Sequence, residues 1–106
     1  MAYDFVVGKS NLIKDDPILL GGIEFDMYPT IASLQKRFEL SIFTQLCNLF
    51  EDYTFNRDEL IQAKEDLYQV MVCGKLKKHE LAFIYKLVAI VCYAADSDYS
   101  LHGVAD

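Results

Sequence analysis

From Leu81 to Ala95 the chain reads LAFIYKLVAIVCYAA, fifteen residues in which Lys86 carries the only charge. No polar face is left at helical spacing, so the segment predicts a helix that the rest of the chain surrounds. It falls short of the ~20 residues a hydrocarbon core demands and has a lysine near its middle, which makes it a core helix and not a membrane span. The other residues must supply the layers around it.

They do so largely with helical stripes. Pro29-Thr30 opens a short helix to about Phe38, with Ile31, Leu34 and Phe38 on one face. A second helix is expected from about Glu39 to Tyr53 on the stripe Ile42, Leu46, Leu49, Phe50 and Tyr53. Asn56, with Glu59 three residues on, has the form of an N-cap and its reciprocal partner. It starts a third helix that buries Leu60, Ala63, Leu67, Val70 and Met71 and stops at about Val72, before Gly74. The apolar helix then runs from about Lys78 to Ala95, and the last eleven residues read as a polar tail.

Before Pro29 the period is two. Ala2–Val7 is strand-like, and Asp15-Asp16-Pro17 and Gly21-Gly22 mark turns. Ile18–Leu20 and Ile23–Met27 are placed to pair with that first strand, Ile23, Phe25 and Met27 alternating with Glu24 and Asp26. The fold class expected is mostly α: a bundle of four helices around the central apolar helix, with a small N-terminal β element, in a single domain over residues 1–106.

A net charge of −6 argues against nucleic acid as a direct partner, because phosphate binding requires a basic surface. It suits a basic protein as partner, or plain solubility. Cys47, Cys73 and Cys92 lie in apolar helical stretches without C-x-x-C spacing, and read as buried thiols in a reducing compartment. With no basic, apolar leader at Met1–Phe5, the compartment expected is the cytoplasm.

Reaction chemistry is hard to assemble from these residues. The adjacent acids Asp15-Asp16, Glu51-Asp52, Asp58-Glu59 and Glu65-Asp66 point about 100° apart on a helix, so such pairs do not converge on one atom. A solvated, stabilising face is their simpler reading. His79-Glu80 lacks the second histidine of a zinc helix, since position 83 is Phe83. Asp96-Ser97-Asp98-Tyr99-Ser100 opens like a calcium loop, but Leu101 stands where the loop's glycine belongs. No nucleophile elbow or phosphate loop occurs. The expectation is no enzyme, no cofactor and no metal.

Charge placement says more. Residues 51–66 carry net −4 and residues 96–106 net −3, whereas Lys75, Lys77, Lys78 and Lys86 make 75–86 net positive. Lys77 and Lys78 lie at the positive end of the apolar helix and Asp96 and Asp98 just beyond its negative end. Each placement opposes the helix dipole by ~0.3–1 kcal/mol. The preceding helix ends beside the lysines and offsets their cost. Asp96 and Asp98, with Tyr99, are therefore the first candidates for contact with a basic partner, and Asp15, Asp16, Glu24 and Asp26 are a reserve acidic surface.

Several segments together, AYDFVVG at Ala2–Gly8, IEFDMYP at Ile23–Pro29, NLFED at Asn48–Asp52 and KLVAIVCYA at Lys86–Ala94, give the chain a general character that resembles the immunity proteins of bacterial contact-dependent inhibition and related polymorphic toxin systems. The resemblance implies a cytoplasmic antitoxin that binds one cognate, basic toxin C-terminal domain, often a nuclease, and blocks its active site or substrate surface. It assigns no numbered residue. The competing expectations are a helical adaptor or oligomeric scaffold without a toxin partner, and a small enzyme with an unrecognised site.

Overall fold

In the computed structural model, which describes residues 2–48, 51–73 and 75–105, strand residues form a full sheet and the bundle expectation fails. Of the described residues 58% are helical and 23% strand, an α+β fold with four α-helices packed on a four-stranded antiparallel sheet. The elements run β1 (Ala2–Gly8), β2 (Ile18–Glu24), α1 (Tyr28–Phe38), α2 (Ser41–Leu46), β3 (Tyr53–Phe55), α3 (Arg57–Cys73), α4 (Lys78–Asp96) and β4 (Ser100–Ala105). Single 3-10 turns at Ile13–Asp15 and Phe25–Met27 flank β2.

Strand order is β2-β1-β4-β3. The supposed polar tail is thus an interior strand. It pairs with β1 through Phe5–Gly103 and Val7–Leu101, and with β3 through Tyr53–Gly103 and Phe55–Leu101. Alternation then puts Tyr3, Phe5, Val7, Leu101 and Phe55 on one face, and all five are buried in the core cluster with the helices. The opposite face carries Thr54 and His102 as a cross-strand pair. Both ring nitrogens of buried His102 are engaged, one by the Thr54 hydroxyl at 2.9 Å and the other by the Gly8 carbonyl at 3.0 Å. Gly103 has no room for a side chain, since a Cβ there would lie 2.1 Å from the Tyr3 hydroxyl.

Two further expectations are corrected at β2. Gly21-Gly22 is no turn; the strand runs through it, and a register shift opposite Phe5 and Val6 leaves Leu20 as the extra residue. The alternating stretch Ile23–Met27 is strand only to Glu24, after which Phe25–Met27 form the 3-10 turn. The second predicted helix shrinks to Ser41–Leu46, and Tyr53, assigned to its end, begins β3. Leu49 and Phe50 of its stripe, and the stop signal Gly74, lie outside the described residues.

The apolar helix is half-buried, not surrounded. Glu80, Phe83, Ile84, Leu87, Ile90, Val91, Ala94 and Ala95 face inward, while Ala82, Tyr85, Lys86, Ala89 and Tyr93 are exposed. Lys86 reaches over the sheet edge and donates to the Gly22 carbonyl of β2, which occupies a backbone acceptor of an edge strand. The cysteine expectation fails in part: Cys47 and Cys92 are half-buried, but Cys73 in the last turn of α3 is exposed. Among the described residues, no helix is long and apolar enough to cross a membrane.

Candidate partner-binding site

The start of α3 is built as its sequence predicts. The Asn56 side-chain oxygen accepts the Glu59 N–H at 2.9 Å, and Glu59 Oε1 accepts the Asn56 N–H at 3.1 Å. The second oxygen of Glu59 accepts from the Tyr53 hydroxyl on β3. That hydrogen bond to the carboxylate, with burial and the Glu59 charge adding to it, pushes the Tyr53 phenol above its ordinary range. Strand and helix are thereby locked together, and α3 leaves β3 at a defined angle.

Between α2 and this corner lies a cleft of about 510 Å³. Ile42, Phe55 and Ala63 form part of its apolar wall, and Glu39, Asp58, Glu59 and Asp66 contribute carboxylates. Among the described residues no lysine, arginine or histidine lines it. Asp58, Gln62 and Asp66 follow at four-residue spacing, so they share one face of α3. Gln62 donates to Asp66 at 2.9 Å. Glu39 enters from the other wall, where it ends α1 with φ of 50° and donates its backbone N–H to Gln35. Among the described residues the Asp58 and Glu39 carboxylates have no hydrogen-bond partner. Two carboxylates held by neighbours and two free ones, over an apolar floor, favour a cationic side chain with an aliphatic stem.

The residues expected from the sequence are placed in three separate locations. Asp15, Asp16 and Tyr99 come together around a depression of about 410 Å³ at the end of the sheet where β1 leads into β2. Lys9 and Lys14 line it too, so its charge is balanced. Asp15 is engaged by the Ser10 hydroxyl at 2.5 Å, and Asp16 occupies the left-handed region at φ 48°. Asp96 and Asp98 are exposed at the end of α4 but do not line that depression. Glu24 and Asp26 are exposed at the far end of β2, ~20 Å along the strand from Ile18.

Sequence reasoning passed over Glu39, Asp58, Glu59 and Asp66. It treated Asp58-Glu59 and Glu65-Asp66 as adjacent pairs, when the informative spacing is Asp58 to Asp66 across two turns of one helix face. Among the described residues, no three of His, Cys, Asp and Glu are grouped to hold a metal ion. No family model matches the chain, and no curated protein or solved structure does either.

Proposed function

We propose that this chain is an immunity protein of the antitoxin type, which binds a basic toxin domain and neutralises it by occupying the surface that domain uses for its substrate. The observation that carries the reading is the α2–α3 cleft, with four carboxylates and no lining cation on a chain of net charge −6. A nuclease holds its polyanionic substrate with lysines and arginines. An inhibitor that presents carboxylates in their place competes for the same groups, and the long-range attraction speeds the encounter.

The cleft suits insertion of one or two such side chains. Ile42, Phe55 and Ala63 take the aliphatic stem while Asp58 and Glu39 take the head group. Glu59 is already committed to the Asn56 cap and Tyr53, so its role is to hold the rim in place. Asp96 and Asp98, and the reserve set Asp15, Asp16, Glu24 and Asp26, supply negative potential at a distance in this reading, and Tyr99 offers an exposed aromatic contact beside them.

The test is protection by co-expression. The gene adjoining this one is tested for a large protein with a toxic, basic C-terminal domain; the chain is paired with that domain, and growth is compared for wild type and for Asp58→Lys/Asp66→Lys. Loss of protection with an intact fold supports the cleft. Full protection by the double variant removes it, and absence of any protection by wild type removes the antitoxin reading.

A further inference from the structure

The outward face of α4 carries Ala82, Tyr85, Ala89 and Tyr93, with the exposed Lys86 beside them donating to the Gly22 carbonyl, and no described residue covers it. Ala82, Tyr85, Ala89 and Tyr93 follow one another at three- and four-residue spacing on one side of the helix, with Tyr85 56% and Tyr93 50% exposed. Tyr68 and Val72 of the neighbouring α3 are exposed as well. Tyrosines are enriched in protein interfaces, and small residues between them let another helix come close.

The ends of the same helix carry charges that oppose its dipole, Lys78 at the start and Asp96 and Asp98 at the finish. Antiparallel α3 moderates both ends, and Arg57 near its start donates to the Ser97 carbonyl at 3.3 Å. Even so, among the described residues the Lys78 ammonium and the Asp96 and Asp98 carboxylates have neither a hydrogen-bond nor an ion-pair partner.

We propose that this face is a self-association surface, covered by α4 of a second copy lying antiparallel about a two-fold axis near Ala89. The pattern is self-complementary in that arrangement. Ala89 meets Ala89 of the second copy at the axis. Tyr85 and Tyr93 each stand four residues from Ala89 on opposite sides, so Tyr85 of one copy covers Tyr93 of the other. Lys78 lies eleven residues to one side and Asp96 seven to the other. Across the two-fold they are offset by ~6 Å along the axis, at 1.5 Å rise per residue, which a lysine side chain spans. The misplaced charges of each copy thus answer those of the other, and the two dipoles run opposite.

Charge also selects a second copy over a basic partner, which would meet Lys75, Lys77 and Lys78 at one end of this face. The face is a strip about 28 Å long, at the low end of interface sizes, which suits a reversible dimer. It leaves the α2–α3 cleft open, since none of the cleft residues lies on α4. The inference therefore stands without the antitoxin reading.

Sedimentation velocity from ~1 μM to ~1 mM decides it. Wild type is expected to pass reversibly from monomer to dimer, and Ala89→Glu, at an exposed site, to weaken that step by about tenfold or more. Lys78→Glu and Asp96→Lys should each weaken self-association, and an equimolar mixture of the two should form a heterodimer, because each variant then offers the other opposite charges at both ends. A wild type that stays monomeric throughout overturns the proposal. So does a dimer indifferent to Ala89→Glu, or a mixture of the charge variants that associates no better than either alone.

Discussion

Arg37 at the end of α1 forms an ion pair with Glu80 in the first turn of α4, across 43 residues of chain. Glu80 is buried, its side chain only 4% exposed, and its other oxygen accepts the Lys77 N–H at 2.9 Å. Arg37 uses a second nitrogen on the Lys75 carbonyl at 3.3 Å. The pair fixes the α3–α4 connection and the start of α4 against α1 with one set of charge-assisted hydrogen bonds.

The Arg37 guanidinium, with the Lys77 N–H and the charges around it, outweighs desolvation and holds the Glu80 carboxyl below the usual carboxylate range. A depressed carboxyl stabilises the fold above its unfolded value and loses that contribution as pH falls through the folded value. Urea midpoints of wild type should therefore fall on acidification below about pH 4.5 more steeply than those of Glu80→Gln. Equal pH slopes would show that the pair contributes nothing. Arg37→Ala should cost ~1–3 kcal/mol at neutral pH, less than a fully buried pair because Arg37 is 38% exposed.

Tyr3 and Gly103 are coupled by contact. Gly103→Ala drives a methyl group into the Tyr3 ring and should destabilise by ~1–3 kcal/mol. Among the described residues the buried Tyr3 hydroxyl has no hydrogen-bond partner, and burial, with the Asp52 charge adding to it, pushes its pKa up to about 12. Tyr3→Phe should be close to neutral, because it removes an unpaired polar group. Because the ring atoms Cε2 and Cζ stand at 2.4 Å from that methyl as well, Tyr3→Phe should recover little of the Gly103→Ala loss, whereas Tyr3→Leu combined with Gly103→Ala should cost less than the sum of the two single changes; additive effects in thermal unfolding there would contradict the contact.

The two faces of α4 should respond differently to truncation. Leu87→Ala removes a fully buried side chain and should cost ~2–5 kcal/mol. Tyr85→Ala, two residues earlier but on the outside, should change monomer stability by less than ~1 kcal/mol. Comparable losses at both positions would restore the surrounded helix expected from composition.

Removing the cap at Asn56 tests the corner that shapes the cleft. Asn56→Ala should cost ~1 kcal/mol and free the Glu59 N–H. The tyrosine absorbance titration of Tyr53 should move toward its ordinary range when Glu59→Gln removes the carboxylate charge. An unchanged titration would separate Tyr53 from Glu59.

Much of the helical half was legible. The expected third and fourth helices match α3 and α4 within about two residues, and Asn56 and Glu59 form the capping box their spacing predicts. What escaped was whatever depends on distant chain. Ser100–Ala105 contains a serine, a histidine and a glycine and shows no strand pattern of its own; it is a strand because β1 and β3 lie on either side. The three residues of β3 are too few to signal a period. The surrounded-helix expectation took Ala82, Tyr85, Ala89 and Tyr93 as core from composition alone, whereas the other elements pack on one side of α4 only and leave these four exposed. The cleft was missed because its two walls, Glu39 on one side and Asp58 and Asp66 on the other, are far apart in the chain and face each other only once it is folded.

The most direct measurement is the affinity of the chain for the C-terminal domain of any large secreted protein whose gene adjoins its own, titrated calorimetrically at low and at physiological salt. The account predicts tight binding that weakens as salt rises, a loss of about tenfold or more for Asp58→Lys/Asp66→Lys, and unchanged thermal stability apart from ~0.3–1 kcal/mol for a cation in the first turn of α3. Binding that ignores both salt and the double reversal would contradict recognition through the acidic cleft.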